Sequence, residues 1–186
     1  LEHDDAACFK EKRSMKAFCR RVGVIAFLLI IFGCSSKGEL QVQRGLDSRI
    51  DHKAVASLSV EADDRVEKTE AVLEAVRRLR GQLFGRLVSE GVFGRVVQEG
   101  EAAQYDVRAR LLAAAQVSQT ARILLGVLAG RNELAVQVDV LDTDSRASLA
   151  SFTAKGESAS HPLSSENDMD DAIREAVDQI ILELKK

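Results

Sequence analysis

The chain is short of aromatic side chains. It has no tryptophan, one tyrosine and seven phenylalanines, and beyond residue 34 only Phe84, Phe93, Tyr105 and Phe152 remain. Sites for sugars and single-stranded nucleic acids lean on stacked rings, so neither class is favoured. Cysteine is scarcer still, with Cys8, Cys19 and Cys34 all near the N-terminus. A domain that begins after Cys34 therefore has no thiols for a disulfide framework or a zinc cluster. Histidine is limited to His3, His52 and His161, and proline to Pro162. No G-x-S-x-G, H-E-x-x-H, P-loop or G-x-G-x-x-G motif occurs. His52 and His161 lie in no motif and read as solvated side chains. Nothing in the residue pattern supplies a placed acid, base or nucleophile, so no enzyme, cofactor or metal site is expected.

Long apolar runs are also missing, with one exception. "RRVGVIAFLLIIFGCSS", residues 20–36, leads from two arginines into an apolar stretch from Val22 to Phe32. That stretch is shorter than the ~20 residues that cross a bilayer, and its flanks match a secretory signal. Met15 makes a natural start, with Lys16, Arg20 and Arg21 as the basic n-region. Residues 1–14 then read as upstream, non-native sequence, and residues 15–33 as a lipoprotein signal peptide. The run ends in "IFGC", which resembles the lipobox of bacterial lipoproteins. That resemblance implies that Gly33 precedes the cut and that Cys34 is the first mature residue and the lipid attachment site. Several acyl chains hold a protein stably at a membrane where a single chain does not.

Of the 26 basic and 29 acidic residues, six and four precede Cys34, so the mature chain carries a net charge of −5. The two signs are interspersed and no basic stripe stands out, which argues against a nucleic-acid partner. Residues 34–53 are polar, without a sustained period, and read as a lipidated tether. Residues 54–186 read as a single periplasmic domain.

Within that domain, "AVASLSV" (54–60) alternates as a short strand. Asp64, with Glu67 three residues on, resembles a capping box that opens a helix. Val72, Val76, Leu79, Leu83 and Leu87 form its apolar stripe, and Gly91 its C-cap. Strand-like pieces follow at 92–97, 104–113, 121–130, 133–142 and 146–156; of these, 121–130 fits equally a helical turn. "TDS" (143–145) makes an antiparallel turn. A last helix carries Met169, Ile173, Val177, Ile180 and Leu184 on one face. The expected fold is α+β: two amphipathic helices on a largely antiparallel sheet, in the order β-α-β-β-β-β-β-α.

Arg122, Gly126, Gly130, Asp142 and Phe152 stand in a pattern similar to a family of bacterial lipoproteins, domain of unknown function 4410. The family often has a glycine in the hairpin turn, where this chain reads "DTDSRA". The resemblance implies a periplasm-facing lipoprotein and no particular activity. "DTDS" begins like a calcium loop but lacks its glycine, and Thr153 sits at the glutamate position, so it reads as a turn. "GVLAG" has G-x-x-x-G spacing outside any membrane-length span, which points to close packing or a bend.

The expected role is a structural or interaction module of the cell envelope, anchored through N-terminal acyl chains and partnered by an envelope protein. The alternative is an accessory subunit of an envelope transport or secretion assembly; the helix-plus-sheet pattern is similar to that of curli-type secretion lipoproteins. Ser35 follows the lipidated cysteine where an inner-membrane retention rule wants aspartate. By that resemblance the protein goes to the outer membrane of a Gram-negative cell and faces the periplasm.

Overall fold

The computed structural model describes residues 37–115, 131–158 and 168–186. The chain from Ser36 onward forms one compact unit. Its strands are β1 (Lys37–Arg44), β2 (Val55–Ala62), β3 (Arg95–Gln98), β4 (Tyr105–Ala115), β5 (Glu133–Asp142) and β6 (Ser148–Glu157). Helix α1 (Glu70–Ser89) lies between β2 and β3, and α2 (Asp168–Leu184) closes the chain. The six strands form one sheet in the order β1-β6-β5-β4-β2-β3. The β1–β6, β6–β5 and β5–β4 pairs are antiparallel, and β2 runs parallel to both β4 and β3. The parallel pairs arise because α1 carries the chain from β2 back to the end where β3 begins. The α+β class, the largely antiparallel sheet and the two helices are as the sequence predicts.

Period-two alternation decides which face of the sheet is covered. Ala56, Leu58 and Val60 of β2 are buried, as are Tyr105, Val107, Ala109 and Leu111 of β4. Leu134, Val136, Val138 and Val140 of β5 join them, with Ala150, Phe152 and Ala154 of β6. Both helices pack on that face. From α1 come Val72, Ala75, Leu79, Leu83 and Leu87; from α2 come Met169, Ile173, Val177, Ile180 and Leu184, all buried. Burying a side chain of this size contributes about 1.5–3 kcal/mol, which makes the two-layer core the main source of stability.

The helices lie side by side and run the same way, as three ion pairs along their length record. Arg78 reaches Asp170 at 3.1 Å, Arg86 reaches Asp178 at 2.8 Å and Lys185 reaches Glu90 at 3.0 Å. Helix α2 comes so close to β6 that only glycine fits beneath it. A Cβ on Gly156 would lie 1.9 Å from the Ala172 carbonyl oxygen and 2.7 Å from the Ala176 nitrogen.

Two boundaries differ from the sequence reading. Residues 37–44 are not tether: they form β1, paired antiparallel with β6 from Lys37↔Glu157 to Arg44↔Ser151. Its alternation is brief, with only Leu40 and Val42 apolar between Glu39, Gln41 and Gln43, so its pattern resembles a linker. Helix α1 starts later than the Asp64 cap. Its N-cap is Thr69, whose hydroxyl accepts from the Val72 N–H at 3.3 Å, while Asp63 turns back onto the Arg65 N–H. Gly91 does follow the helix as expected, with φ +60. The Val92 N–H reaches the Leu87 carbonyl and the Gly91 N–H reaches that of Val88, satisfying two terminal acceptors. The expected strand at 121–130 lies outside the described residues.

One substitution and one truncation test this packing. Gly156→Ala should lower the unfolding free energy by about 1–3 kcal/mol, because backbone atoms of α2 must move to admit the methyl group. Urea denaturation with an unchanged midpoint would show that α2 does not sit so close. A chain beginning at Gly45, compared with one beginning at Lys37, should unfold at lower urea, since it strips a strand from β6. Equal midpoints would return residues 37–44 to the tether.

Candidate functional site

Among the described residues, helices cover only one face of the sheet, and the other face is polar. Its side chains form a hydrogen-bonded row across four strands. Gln43 Nε2 donates to Thr153 Oγ1 at 3.1 Å, and Thr153 Oγ1 donates to Gln137 Oε1 at 3.0 Å. Gln137 Nε2 donates to Ser151 Oγ at 3.0 Å, and Ser151 Oγ to Asp139 Oδ1 at 2.7 Å. Arg110 closes the row on Asp139 Oδ2 at 2.8 Å. Beside it, Arg108 pairs with Asp106 at 2.7 Å and Ser57 Oγ donates to the same carboxylate at 3.2 Å. The strands place these groups at alternate positions, so the periodicity that predicts the core also marks this face. Both Asp139 oxygens and both Asp106 oxygens are already engaged, so neither carboxylate stands free as a base. Phe93, Tyr105 and Phe152 are buried, so none of these rings offers a stacking platform.

A second feature lies at the other edge. Strand β3 pairs with β2 only from Val55 to Leu58, so β2 runs on past the end of its partner on that side. A crevice of about 480 Å³ occupies the gap, lined by Leu58, Arg77, Arg80, Gly81, Phe84, Gln98 and Glu99. Arg80 bends in from α1 and donates through Nη2 to the Val60 carbonyl at 2.8 Å, capping the open edge. Arg77 is held elsewhere, by Glu74 at 2.6 Å and Glu70 at 3.4 Å. Nothing in the spacing of Arg80 announces the carbonyl it reaches.

The singled-out residues divide as follows. Cys34 lies outside the described residues, as do Arg122, Gly126, Gly130 and His161. Asp142 builds the β5–β6 hairpin: its Oδ1 accepts from the Ser145 N–H at 2.8 Å and from the Ser145 hydroxyl at 2.7 Å. Arg146 there adopts φ +59, the left-handed conformation for which a glycine is the usual choice. "TDS" is thus a turn, as expected. Phe152 is fully buried in the core. His52 is exposed, as expected, though its ring also stacks on Phe93 at 6.3 Å and its Nδ1 lies 2.9 Å from the Val92 carbonyl. Among the described residues no group of His, Cys, Asp and Glu could hold a metal ion, and no helix is long and apolar enough to cross a membrane.

The structure is a two-layer α+β domain, with helices on one face of the sheet and a hydrogen-bonded polar lattice on the other. The family described as domain of unknown function DUF4410 matches residues 40–162, and the chain belongs to it. The PelC dodecamer from Paraburkholderia phytofirmans shares the fold at a TM-score of 0.51 and 15% identity, over 80% of this chain and 96% of that one. A second PelC dodecamer from the same organism, a variant with one leucine replaced by methionine, aligns at 0.49 and 16% identity over 80% and 95%. A candidate lipoprotein from Caulobacter crescentus CB15 aligns at 0.37 and 21% identity over 70% and 87%. No curated protein matches the chain.

Several carboxylates are held in their charged form. Hydrogen bonds from the Arg49 side chain and then its backbone N–H draw Asp47 down to about 2. Arg78 and Arg77 lower Glu74; Lys185, then Arg86, lower Glu90; the Ser145 N–H and hydroxyl lower Asp142. Each of these groups binds a proton less readily folded than unfolded. Its stabilisation is complete above the unfolded carboxylate range of about 4 and is lost as pH falls through the folded value. The thermal midpoint should therefore drop between about pH 4 and pH 2, the lower limit being set by Asp47. A midpoint that stays level across that window would show that these contacts are not made in solution.

Proposed function

We propose that the protein is a lipid-anchored envelope lipoprotein whose domain acts by binding, without turnover. The "IFGC" sequence carries this reading, because a signal-like apolar run ends in the one cysteine that the mature chain retains. Ser35 directs the anchor to the outer membrane, with the domain in the periplasm. The polar face supports binding over chemistry, since its carboxylates and hydroxyls are engaged with one another. The mixed, net acidic surface favours an envelope protein as partner over nucleic acid.

Cys34→Ser tests the anchor. The variant should accumulate as an uncleaved precursor and lose palmitate labelling in cells. Continued cleavage with continued labelling would overturn the lipoprotein reading.

A second reading, an accessory subunit of an envelope transport or secretion assembly, draws on the dodecamer formed by the PelC protein that shares this fold. Its mark would be a ring-sized particle, or a stoichiometric export partner, in detergent extracts of the envelope. A monomer that captures neither leaves the simple interaction module.

A further inference from the structure

The strand β1 begins at Lys37, so only Ser35 and Ser36 stand between it and Cys34. Three Cα steps span about 10 Å when fully extended, less than the width of two packed strands and a helix. A polar linker of about twenty residues would have a root-mean-square reach of roughly 25 Å and leave orientation free. The chain has no such linker between Cys34 and β1.

We propose that, once Cys34 is acylated, the domain is pinned directly on the lipid surface at one end of its sheet. This rests on the lipoprotein reading above. The topology defines which end that is. Lys37 faces Glu157 across β1–β6, and Glu157 faces Glu133 across β6–β5. The starts of β1 and β5 and the end of β6 therefore share one level, at the lipid. The β5–β6 hairpin, with Asp142 and Ser145, stands at the other end. Strand β5 has ten residues at about 3.4 Å each, so the two ends lie roughly 30 Å apart.

Charge keeps the contact from spreading. Among the described residues the charges at this end are mostly paired: Arg131 with Glu157 at 3.1 Å, Arg78 with Asp170 at 3.1 Å and Arg174 with Asp171 at 2.8 Å, with Glu133 and Lys37 of opposite sign beside them. Such a surface presents no basic cluster to an anionic bilayer, so the acyl chains supply the attachment. The polar face and the helical face both stand away from the membrane plane. A partner reaches them only if it is anchored in the same membrane or extends to within one domain length of it.

Depth-dependent quenching tests the arrangement. The full acylated chain, carrying a fluorophore at Glu133→Cys or at Asp144→Cys, is reconstituted in phosphatidylethanolamine and phosphatidylglycerol vesicles containing brominated lipid. Both positions are exposed, and neither side chain packs in the core. Mass spectrometry of each sample establishes acylation of Cys34. Quenching at 133 should exceed that at 144 several-fold, and about ten Gly/Ser residues inserted between Ser36 and Lys37 should reduce it to the level at 144. Acylated protein with equal quenching at both positions would overturn the pinning alone. So would strong quenching at 133 that survives the insertion, because the domain would then bind lipid by its own surface. Protein without acyl chains would overturn the pinning together with the lipoprotein reading.

Discussion

The approach of α2 to β6 sets the geometry of the rest. At Gly156 the helix backbone stands where any side chain would be, so the sheet and helix meet almost main chain to main chain. That contact brings Ala172 and Ala176 against the sheet and sinks Ile173, Val177 and Ile180 into the core. With α2 fixed, α1 takes its place beside it on the same face, and the Arg78–Asp170 and Arg86–Asp178 pairs record its register. Exposed pairs of this kind each contribute only about 0.2–1 kcal/mol. They select the alignment; the burial beneath them holds it.

Crowding both helices onto one face leaves the other to satisfy itself. No described helix covers this face, and it ties Gln43, Thr153, Gln137, Ser151, Asp139 and Arg110 into a single row. Cross-strand pairs of this type contribute about 0.2–1 kcal/mol each and penalise a register slip, because each group would lose its partner. The lattice thus belongs to the folding of the sheet as much as to its surface. It also fixes the shape that any partner meets there.

The core was legible because burial on one face leaves a period. Strands β2, β4, β5 and β6 alternate, and both apolar helix stripes appear at the residues that the sequence singles out except Val76, which is only partly buried while Ala75 is buried. What the pattern missed was the unburied part. Strand β1 is exposed on most of its length and has only Leu40 and Val42 to mark its apolar side, too short an alternation to stand out from the polar stretch around it. The start of α1 is set by Thr69 and not by Asp64, because the backbone at 63–66 closes a turn, the Val66 N–H bonding the Asp63 carbonyl, before the helix begins. No pattern marks Gly156, because its role depends on a helix that arrives only at Asp168, further along the chain. The crevice under Arg80 exists because β3 stops at Gln98, a length that no motif encodes.

These features bear on how such a domain could bind. A partner that docks on the open face must exchange hydrogen bonds already made for new ones, so each new polar contact yields only a small net gain. Fully engaged side chains are also rigid, so less rotamer entropy is lost on contact. The balance gives recognition by shape, with modest affinity per unit area. Confinement supplies what the surface lacks: two proteins anchored in one membrane meet at an effective concentration of order millimolar, as linked modules do. With Cys34 acylated as proposed, the short leash to β1 would limit orientations as well as distance. An interface too weak to survive in dilute solution would then be occupied at the membrane, and the start of β1 three residues from Cys34 would let so sparing a surface suffice.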